Sequence, residues 1–453
     1  MAGIGFELRR MLRKNTLTGL LQAYAYAGVI GSGPWVFSII GILLVGIFSA
    51  SVVVPNFLVT QFQTSVTYLV ACSLILTGFV QLAFTRFVSD RLFEKKRDLI
   101  LPNLHGLLLG VIAVAAVLGT LALFVVFPGE RLLYRLLMLA GFCVMCGVWV
   151  LAILLSGMKR YQAITVLFGG AYALIVVASL LMRPWGLEGL LGGFVLGNFV
   201  LLAGMWVMVV RDFSPKGRLI AFDFAERKLL YPSLVLVGLL YNVAIWADKF
   251  MFWYFPPTSE PIIGGLRASL IYDLPVFLSY LSIIPGMAVF LVRIETDFAE
   301  WYERVYDAIR GGETLQHIGW LKEQMILAIR QGLMEICKVQ GLTLVLLFLL
   351  APQLLSWLGI SHYYLPLFYI DVIGVSIQVV FMALLNVFFY LDKRAIVLEL
   401  CVLFVLANGA LTLFSQMLGP TFFGYGFTLS LLLCVLLGLY RLNEALDDLE
   451  FET

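Results

Sequence analysis

The sequence predicts an all-α polytopic membrane protein, with twelve transmembrane helices in two six-helix lobes around a central cavity. Of its 453 residues, 62% are hydrophobic and 13% are charged, and the mean hydropathy is +0.99, whereas a soluble domain is about half apolar and a quarter charged. The apolar residues lie in runs of about 20 or more, long enough to cross roughly 30 Å of hydrocarbon. A polar segment after the sixth run divides the runs equally.

The apolar runs give the predicted spans, with an error of a few residues at each boundary. The first run follows a basic stretch, Arg9 to Lys14, as the core of a secretory signal would. It is about twice as long as such a core and eleven more runs follow, so we interpret it as a membrane helix. The predicted spans are 20–50, 59–85, 104–127, 133–155, 163–182, 190–210, 229–255, 269–292, 339–358, 366–391, 395–418 and 423–440.

The basic residues predict the orientation. With the N-terminus in the cytoplasm, 25 of the 30 Lys and Arg residues fall inside, four fall outside, and Lys249 lies within a span. Cytoplasmic loops carry an excess of Lys and Arg. Both termini are therefore expected in the cytoplasm.

Hydropathy also predicts the domains. A basic linker at 211–228 separates two sets of six spans, as in a duplicated transporter whose substrate path runs between the halves near the bilayer midplane. The predicted parts are a basic cytoplasmic N-terminus at 1–19, an N-lobe at 20–210, the linker, a C-lobe at 229–440 with a cytoplasmic insertion at 293–338, and an acidic cytoplasmic tail at 441–453.

The insertion at 293–338 has apolar residues at every third or fourth position, which predicts two amphipathic helices. Gly311 and Gly312 interrupt the pattern and predict a turn, and the second helix is expected to run on into the ninth span. Two interpretations stay open. The helices form an interfacial hairpin on the membrane surface, or they dock a cytoplasmic enzyme through Trp301, Tyr302 and Trp320.

The first span contains the sequence GVIGSGPW at residues 28–35. Its G-x-G does not follow a strand, which disfavours a dinucleotide site. Glycine loosens a helix and proline removes a hydrogen bond, so we expect a hinge at Gly31, Gly33 and Pro34. Broken helices are tolerated where they line a cavity, so this span is a candidate element of the substrate path.

Four ionisable residues within spans are candidates for function, because charge inside a membrane is costly and marks function by default. Asp248, Lys249, Asp273 and Asp371 are all expected near the outer interface. Lys249 and Asp248 are sequence neighbours that point about 100° apart, so Asp273 is the predicted partner of Lys249 in an outer gate. In the alternative interpretation each charge reaches water alone.

Aromatic, hydroxyl and amide side chains cluster in the first, seventh and eighth spans. Such a mixture suits carbohydrate, whose C–H faces stack on rings while its hydroxyls need partners. Trp246 and Tyr254 are also consistent with an interfacial aromatic belt. The candidate path residues are Tyr24, Tyr26, Ser32, Trp35, Tyr241, Asn242, Trp246, Ser279, Tyr280 and Ser282.

No part of the sequence indicates an enzyme, a cofactor or a metal site. The six cysteines and three histidines are scattered, Cys143 and Cys146 form a C-x-x-C inside an apolar helix, where small residues pack helices together, and no Walker A sequence occurs. The net charge of +2 gives no sign of a nucleic-acid partner. The largest intracellular segment, 293–338, is smaller than a typical domain, so polymerising chemistry must come from another chain.

Several segments carry a resemblance to a known family. They are MAGIGFELRRML, YAYAGVIGSGPWVFSII, WADKFMFWYF with PPTSEPIIGGLRASLIYDLP, and FFYLDKR after the tenth span. They resemble the PelG family of inner-membrane components of bacterial Pel exopolysaccharide systems, and the resemblance extends over essentially the whole chain in length and span number.

The resemblance implies a bacterial inner-membrane protein of the multidrug/oligosaccharidyl-lipid/polysaccharide exporter (MOP) superfamily, with a V-shaped cavity lined by spans one, two, seven and eight. It implies transport of the Pel polymer, rich in N-acetylgalactosamine and galactosamine, during biofilm matrix synthesis. The implied partners are the cytoplasmic glycosyltransferase PelF and the membrane proteins PelD, a cyclic di-GMP receptor, and PelE. Few basic residues lie in those spans, which argues against a strongly anionic cargo.

Two other functions stay open. One is a cation-coupled small-molecule exporter of the same fold, which would need a titratable carboxylate deep in a lobe. Spans one to six contain none away from the interfaces. The other is a membrane scaffold that docks the polysaccharide synthase, which would need neither the Gly-Pro break nor the gate charges.

Overall fold

The computed structural model describes residues 17–50, 57–158, 160–213, 218–226, 231–357 and 360–452, with the side chains of 17, 19–21, 32–35, 50, 157, 161 and 448–452 left out. Most of the basic N-terminus predicted at 1–19, with the MAGIGFELRRML segment, lies outside these ranges, as do parts of the linker predicted at 211–228.

The described ranges contain fourteen α-helices and one hairpin of two short strands. The elements are α1 (Leu17–Ala50), α2 (Phe57–Phe93), α3 (Ile100–Val126), α4 (Leu132–Gly157), α5 (Tyr161–Met182), α6 (Leu187–Asp212), α7 (Pro232–Trp253), β1 (Glu260–Ile263), β2 (Leu266–Ala268), α8 (Leu270–Ser279), α9 (Ile283–Val292), α10 (Ala299–Gly311), α11 (Leu315–Trp357), α12 (Leu365–Tyr390), α13 (Arg394–Leu418) and α14 (Tyr425–Glu452).

The predicted all-α polytopic class is confirmed. Among the described residues, eleven helical segments are long and apolar enough to cross a membrane, and α1 raises the number to twelve if its two halves count as one span. The halves, Gln22–Gly31 and Val36–Ser49, are separated by a break in the helix. Gly31, Gly33 and Pro34 border or lie in this break, and their action as a hinge stays a prediction.

The eighth span and the first insertion helix form one continuous helical segment. A 3₁₀ turn at Tyr280–Ser282 joins α8 to α9, and a π-helical turn at Arg293–Phe298 joins α9 to α10. Such turns change the helical pitch without leaving a free helix end, which would need capping. The amphipathic helix predicted after residue 293 is therefore a continuation of the eighth span.

The second insertion helix and the ninth span are likewise a single helix, as the sequence predicted. The 43 residues of α11 extend roughly 64 Å at about 1.5 Å per residue, twice the hydrocarbon thickness. The predicted glycine turn precedes it, with Gly312 in the left-handed conformation at φ 66°. The acidic tail predicted at 441–453 is helical to Glu452, as the end of α14.

The chain divides into two compact units that are not contiguous in sequence. The first unit comprises Met1–Ser32, Ala247–Met251 and Leu270–Thr453, and the second comprises Gly33–Trp246 and Phe252–Ser269. The predicted lobes, 20–210 and 229–440, followed chain order. The observed units differ from them because α1 begins in the first unit and most of α7 belongs to the second.

Glycines explain both assignments. In the first unit, a Cβ on Gly31 would lie 2.8 Å from Leu291 of α9, so the first half of α1 packs tightly against that helix. In the second unit, a Cβ on Gly238 of α7 would lie 2.2 Å from the carbonyl oxygen of Gly78 on α2. Small residues allow such close backbone approach in membrane helices.

The hairpin of β1 and β2 is anchored within the second unit. Its strands pair antiparallel, Gln61 Nε2 donates to the carbonyl of Ile262 at 3.1 Å, and the Tyr68 hydroxyl donates to that of Arg267 at 2.8 Å. Because α2 supplies both donors, the hairpin is fixed on that helix.

Candidate functional site

Charged and polar side chains lie together inside the first unit. Asp248 is 0% exposed, and Lys249 and Asp371 are each 1% exposed. The first two come from the short part of α7 that belongs to this unit, and Asp371 comes from α12. We call the following set the buried charge cluster: Asp248, Lys249, Tyr272, Tyr280, Asp371 and Asn408.

Lys249 is paired with its sequence neighbour. Its Nζ lies 3.1 Å and 3.2 Å from the two carboxylate oxygens of Asp248, and donates to the Tyr280 hydroxyl at 3.4 Å. The same ammonium stands 4.5 Å from the ring centroid of Phe427, which is cation–π geometry. The sequence predicted Asp273 as its partner. The structure corrects this, because the long lysine side chain bends back toward Asp248 although the two Cα–Cβ bonds diverge.

The Asp248 carboxylate has two further donors. The Tyr272 hydroxyl of α8 donates to Oδ2 at 2.6 Å, and Asn408 Nδ2 of α13 donates to Oδ1 at 3.3 Å. Thr412, one turn further along α13, donates to the Asn408 oxygen at 3.0 Å. Sequence reasoning missed Asn408 and Thr412 because it searched the spans for charges. Asn408 and Thr412 are four residues apart in an apolar span, and this spacing, which places both on one helix face, could have identified them from the sequence.

Asp371 differs from Asp248 in having no such donors. Both of its carboxylate oxygens are buried, and neither has a hydrogen-bond partner in the described part of the chain. Gly424 allows α14 to begin beside it, since a Cβ there would lie 2.8 Å from Oδ1. Two carboxylates and one ammonium thus lie buried in the same unit, where uncompensated charge is expensive. The chemistry open to Asp371 is the uptake of a proton or a small cation.

The described residues offer no site that would bind a metal ion through several side chains. Within the ranges that the structure describes, no group of three or more His, Cys, Asp or Glu side chains could hold a metal ion.

The predicted path residues are divided between the two units. Ser279 and Ser282 donate to carbonyls of their own helical segment at 2.6 Å, and Asn242 does the same at 2.8 Å. The side chains of Ser32 and Trp35 lie outside the described part. The first unit contains Tyr24, Tyr26, Ser32, Ser279, Tyr280 and Ser282, and the second contains Trp35, Tyr241, Asn242 and Trp246. Their contact with a substrate stays a prediction.

Of Trp246 and Tyr254, the two residues considered for an interfacial aromatic belt, only Tyr254 fits such a position. Trp246 is 4% exposed and lies against Trp253, with 6.2 Å between ring centroids, so it is a core residue. Tyr254 is 53% exposed, beyond the end of α7, which fits an interfacial position.

The predicted docking residues lie on α10 and α11. Trp301 and Trp320 meet edge to face with 5.9 Å between ring centroids, and Trp320 is 49% exposed. Tyr302 instead packs between Tyr306 and Tyr390, at 4.5 Å and 5.4 Å. Trp320 thus lies half-exposed on the surface, whereas Tyr302 packs α10 against α12 through Tyr390.

We expect a double-mutant cycle to show the pairing of Lys249 with Asp248. Breaking a buried ion pair costs about 3–5 kcal/mol because one charge is left orphaned. Lys249→Met and Asp248→Asn should therefore each lower the melting temperature of the purified protein, and the double variant should lose less than the sum. Thermal unfolding in detergent measures this. Asp273→Asn is the matched control, and coupling of that change to Lys249→Met would contradict the observed pairing.

Comparisons with known proteins agree with this architecture. The profile of the PelG exopolysaccharide exporter (EPS-E) family matches residues 1–453. No curated protein matches the chain.

Solved structures show the same fold at low sequence identity. An outward-facing multidrug resistance MATE family transporter of the MOP superfamily has a TM-score of 0.70 at 13% identity, covering 100% of this chain and 98% of that one. A MOP superfamily transporter from Pyrococcus furiosus has a TM-score of 0.64 at 14% identity, covering 94% and 96%. Since the family profile covers the whole chain, the protein belongs to the PelG exopolysaccharide exporter family, with the fold of MOP superfamily transporters.

Proposed function

We propose that this protein carries an exopolysaccharide across the bacterial inner membrane while a cytoplasmic glycosyltransferase makes it. The match of the entire chain to a family of exopolysaccharide exporters is the observation that carries the proposal. The expected cargo is the Pel polymer, rich in N-acetylgalactosamine and galactosamine. The scarcity of basic residues in the spans supports a cargo that is not strongly anionic.

The proposed orientation places both termini in the cytoplasm. With this orientation, 25 Lys and Arg residues lie on the cytoplasmic side and four lie outside, as expected for a membrane protein. On this orientation α10 and the first half of α11 project into the cytoplasm, and the turn that precedes α14 faces outside.

Labelling of single cysteines tests the orientation. Leu315 and Tyr425 are 85% and 41% exposed, so Leu315→Cys and Tyr425→Cys should fold normally. With the native, exposed Cys337 replaced by serine in both, a membrane-impermeant maleimide added to intact spheroplasts should label position 425 only. Position 315 should become reactive after permeabilisation. Labelling of position 315 in intact spheroplasts would invert the topology.

We further propose that α10 and the first half of α11 dock the transferase, PelF, and that PelD and PelE are the membrane partners. The support for the docking surface is geometric. These helices extend beyond the length needed to cross hydrocarbon, and they expose Leu315, Trp320 and Met334. Exposed tryptophan side chains such as that of Trp320 are frequent anchors of protein interfaces.

Inverted membrane vesicles test the export. Vesicles that contain this protein together with the transferase and its sugar-nucleotide donor should accumulate polymer in the lumen, where an added glycosidase cannot degrade it. Vesicles with the transferase alone should leave the polymer degradable. Equal protection in both preparations would show that this protein is not the conduit and would favour a scaffold.

A second candidate is transport coupled to a proton or Na⁺, which Asp371 specifically favours. The small-molecule exporter hypothesis required a titratable carboxylate deep in a lobe. Asp371, on α12, supplies a carboxylate that is buried inside the first unit and lacks hydrogen-bond partners among the described residues. The coupling ion could drive either a small molecule or the polymer.

The variant Asp371→Asn separates these possibilities, because it removes the charge and keeps the shape. If Asp371 couples transport, luminal accumulation by the variant should fall about tenfold and should no longer respond when ionophores collapse the H⁺ or Na⁺ gradient. Asp273→Asn, a half-buried carboxylate on α8, is the matched control. A variant that still responds to the ionophores would refute coupling through Asp371.

A further inference from the structure

A small polar cleft opens in the first unit, between the π-helical turn with α10 on one side and α11 on the other. Its volume is about 180 Å³, less than the roughly 300 Å³ or more of pockets that hold drug-sized ligands. The cleft therefore has room for one ring-sized group. Its polar and aromatic lining consists of Arg293, Asp297, Glu300, Trp301, Arg304 and Gln331.

Arg293 gives the cleft a fixed wall. Its Nε and one terminal nitrogen donate to the two carboxylate oxygens of Glu335 on α11, at 2.5 Å and 2.9 Å. The other terminal nitrogen donates to Asp297 at 2.7 Å. A guanidinium held in this forked geometry is rigid, so the carboxylates beside it are held in place before any ligand arrives.

Trp301 and Arg304 form the second wall. The Arg304 guanidinium stands 4.7 Å from the centroid of the Trp301 ring and also pairs with Glu300. The Gln331 side chain, exposed on α11, makes no hydrogen bond in the part of the chain that the structure describes. One amide donor and acceptor is therefore available to a ligand.

The charges of the lining select the ligand class. The lining carries two guanidinium groups and two carboxylates, and Glu335, paired with Arg293, adds a third carboxylate, so an anion meets at least as much repulsion as attraction. A hydrocarbon would leave these groups without partners, which costs free energy. A sugar ring suits the lining, since its hydroxyls both donate and accept, an amino group would find carboxylates, and a C–H face can lie against indole.

We propose that this cleft binds one neutral or amino-bearing hexose residue of the exported polymer on the cytoplasmic side. The substrate identity rests on the proposed function and orientation. The site itself rests on the paired, pre-positioned polar groups around a cavity of single-ring size.

The cleft is connected to α1. The Tyr24 phenol, on the first half of α1, interacts with the Arg293 guanidinium. A sugar held against Arg293 therefore meets a group that also interacts with α1. Tyr24 can thus respond to the occupied cleft without touching the sugar.

Binding to the purified full chain tests the site. The probes are short oligomers of a neutral hexose, of an N-acetylhexosamine and of a hexosamine, with a hexuronate oligomer and inorganic phosphate as anionic comparators. Calorimetry in detergent should show saturable binding of at least one of the first three. Gln331→Ala and Trp301→Leu should each weaken it about tenfold, the loss expected when one polar or stacking contact is removed.

Gln324→Ala, two turns earlier on α11 and outside the cleft, is the matched control and should bind as the wild type does. Gln331→Ala changes an exposed position, so misfolding does not confound it. No saturable binding, binding that both cleft variants retain, or tighter binding of the anionic probes would each overturn the proposal.

The vesicle assay separates this inference from the proposed function. A wild-type protein that exports polymer but binds none of the sugar probes refutes the cleft and leaves export intact. A protein that binds them with the expected variant pattern but exports nothing supports the cleft and refutes the proposed function.

Discussion

The requirement that every backbone polar group be satisfied inside the membrane governs this structure. Hydrocarbon offers no hydrogen bonds, so spanning segments are helices, and each interruption must preserve the hydrogen bonding. The segment from Leu270 to Gly311 shows how the chain meets that demand. Pro275 removes one donor within α8, and a 3₁₀ turn and a π turn follow, yet helical hydrogen bonding continues to the end of α10. The helix pair of α10 and α11 is thus continuous with the spanning helices.

The same absence of water makes buried charge expensive, and the protein compensates for it by local pairing. Lys249 lies against Asp248, and two other helices supply Tyr272 and Asn408 as donors to that carboxylate. Three helices therefore meet at one ion pair. Such a pair specifies which helices are neighbours more than it adds stability, because desolvation offsets most of the attraction.

The sequence was sufficient for features that depend on one segment at a time. Run length and charge placement predicted the spans, and the spacing of Phe298, Trp301, Val305 and Ile309 predicted the first insertion helix. The buried charges were also found, because charge within an apolar run is visible in one dimension. The orientation is a prediction that the structure does not test.

What the sequence missed depends on contacts between segments. The partner of Lys249 was mispredicted because the prediction considered only the directions of the Cα–Cβ bonds of Asp248 and Lys249. The lysine side chain has four methylene groups and is long enough to reach its neighbour despite those directions. The two units could not be predicted from hydropathy, since Gly31 and Gly238 assign their helices by close approach to residues far along the chain. Asn408 carries no charge, so it gave no signal in the search for ionisable groups.

The two polar sites of the first unit differ in how their charges are paired, and that difference supports the different roles proposed for them. In the buried charge cluster the Asp371 carboxylate is buried and has no hydrogen-bond partner among the described residues, so uptake of a proton or a small cation would supply the partner that it lacks. In the cleft, each guanidinium is paired with a carboxylate before a ligand arrives. A buried carboxylate without a partner suits energy coupling, because occupancy changes its charge. A site whose charges are already paired suits recognition of a neutral or amino-bearing sugar, because its geometry is fixed in advance.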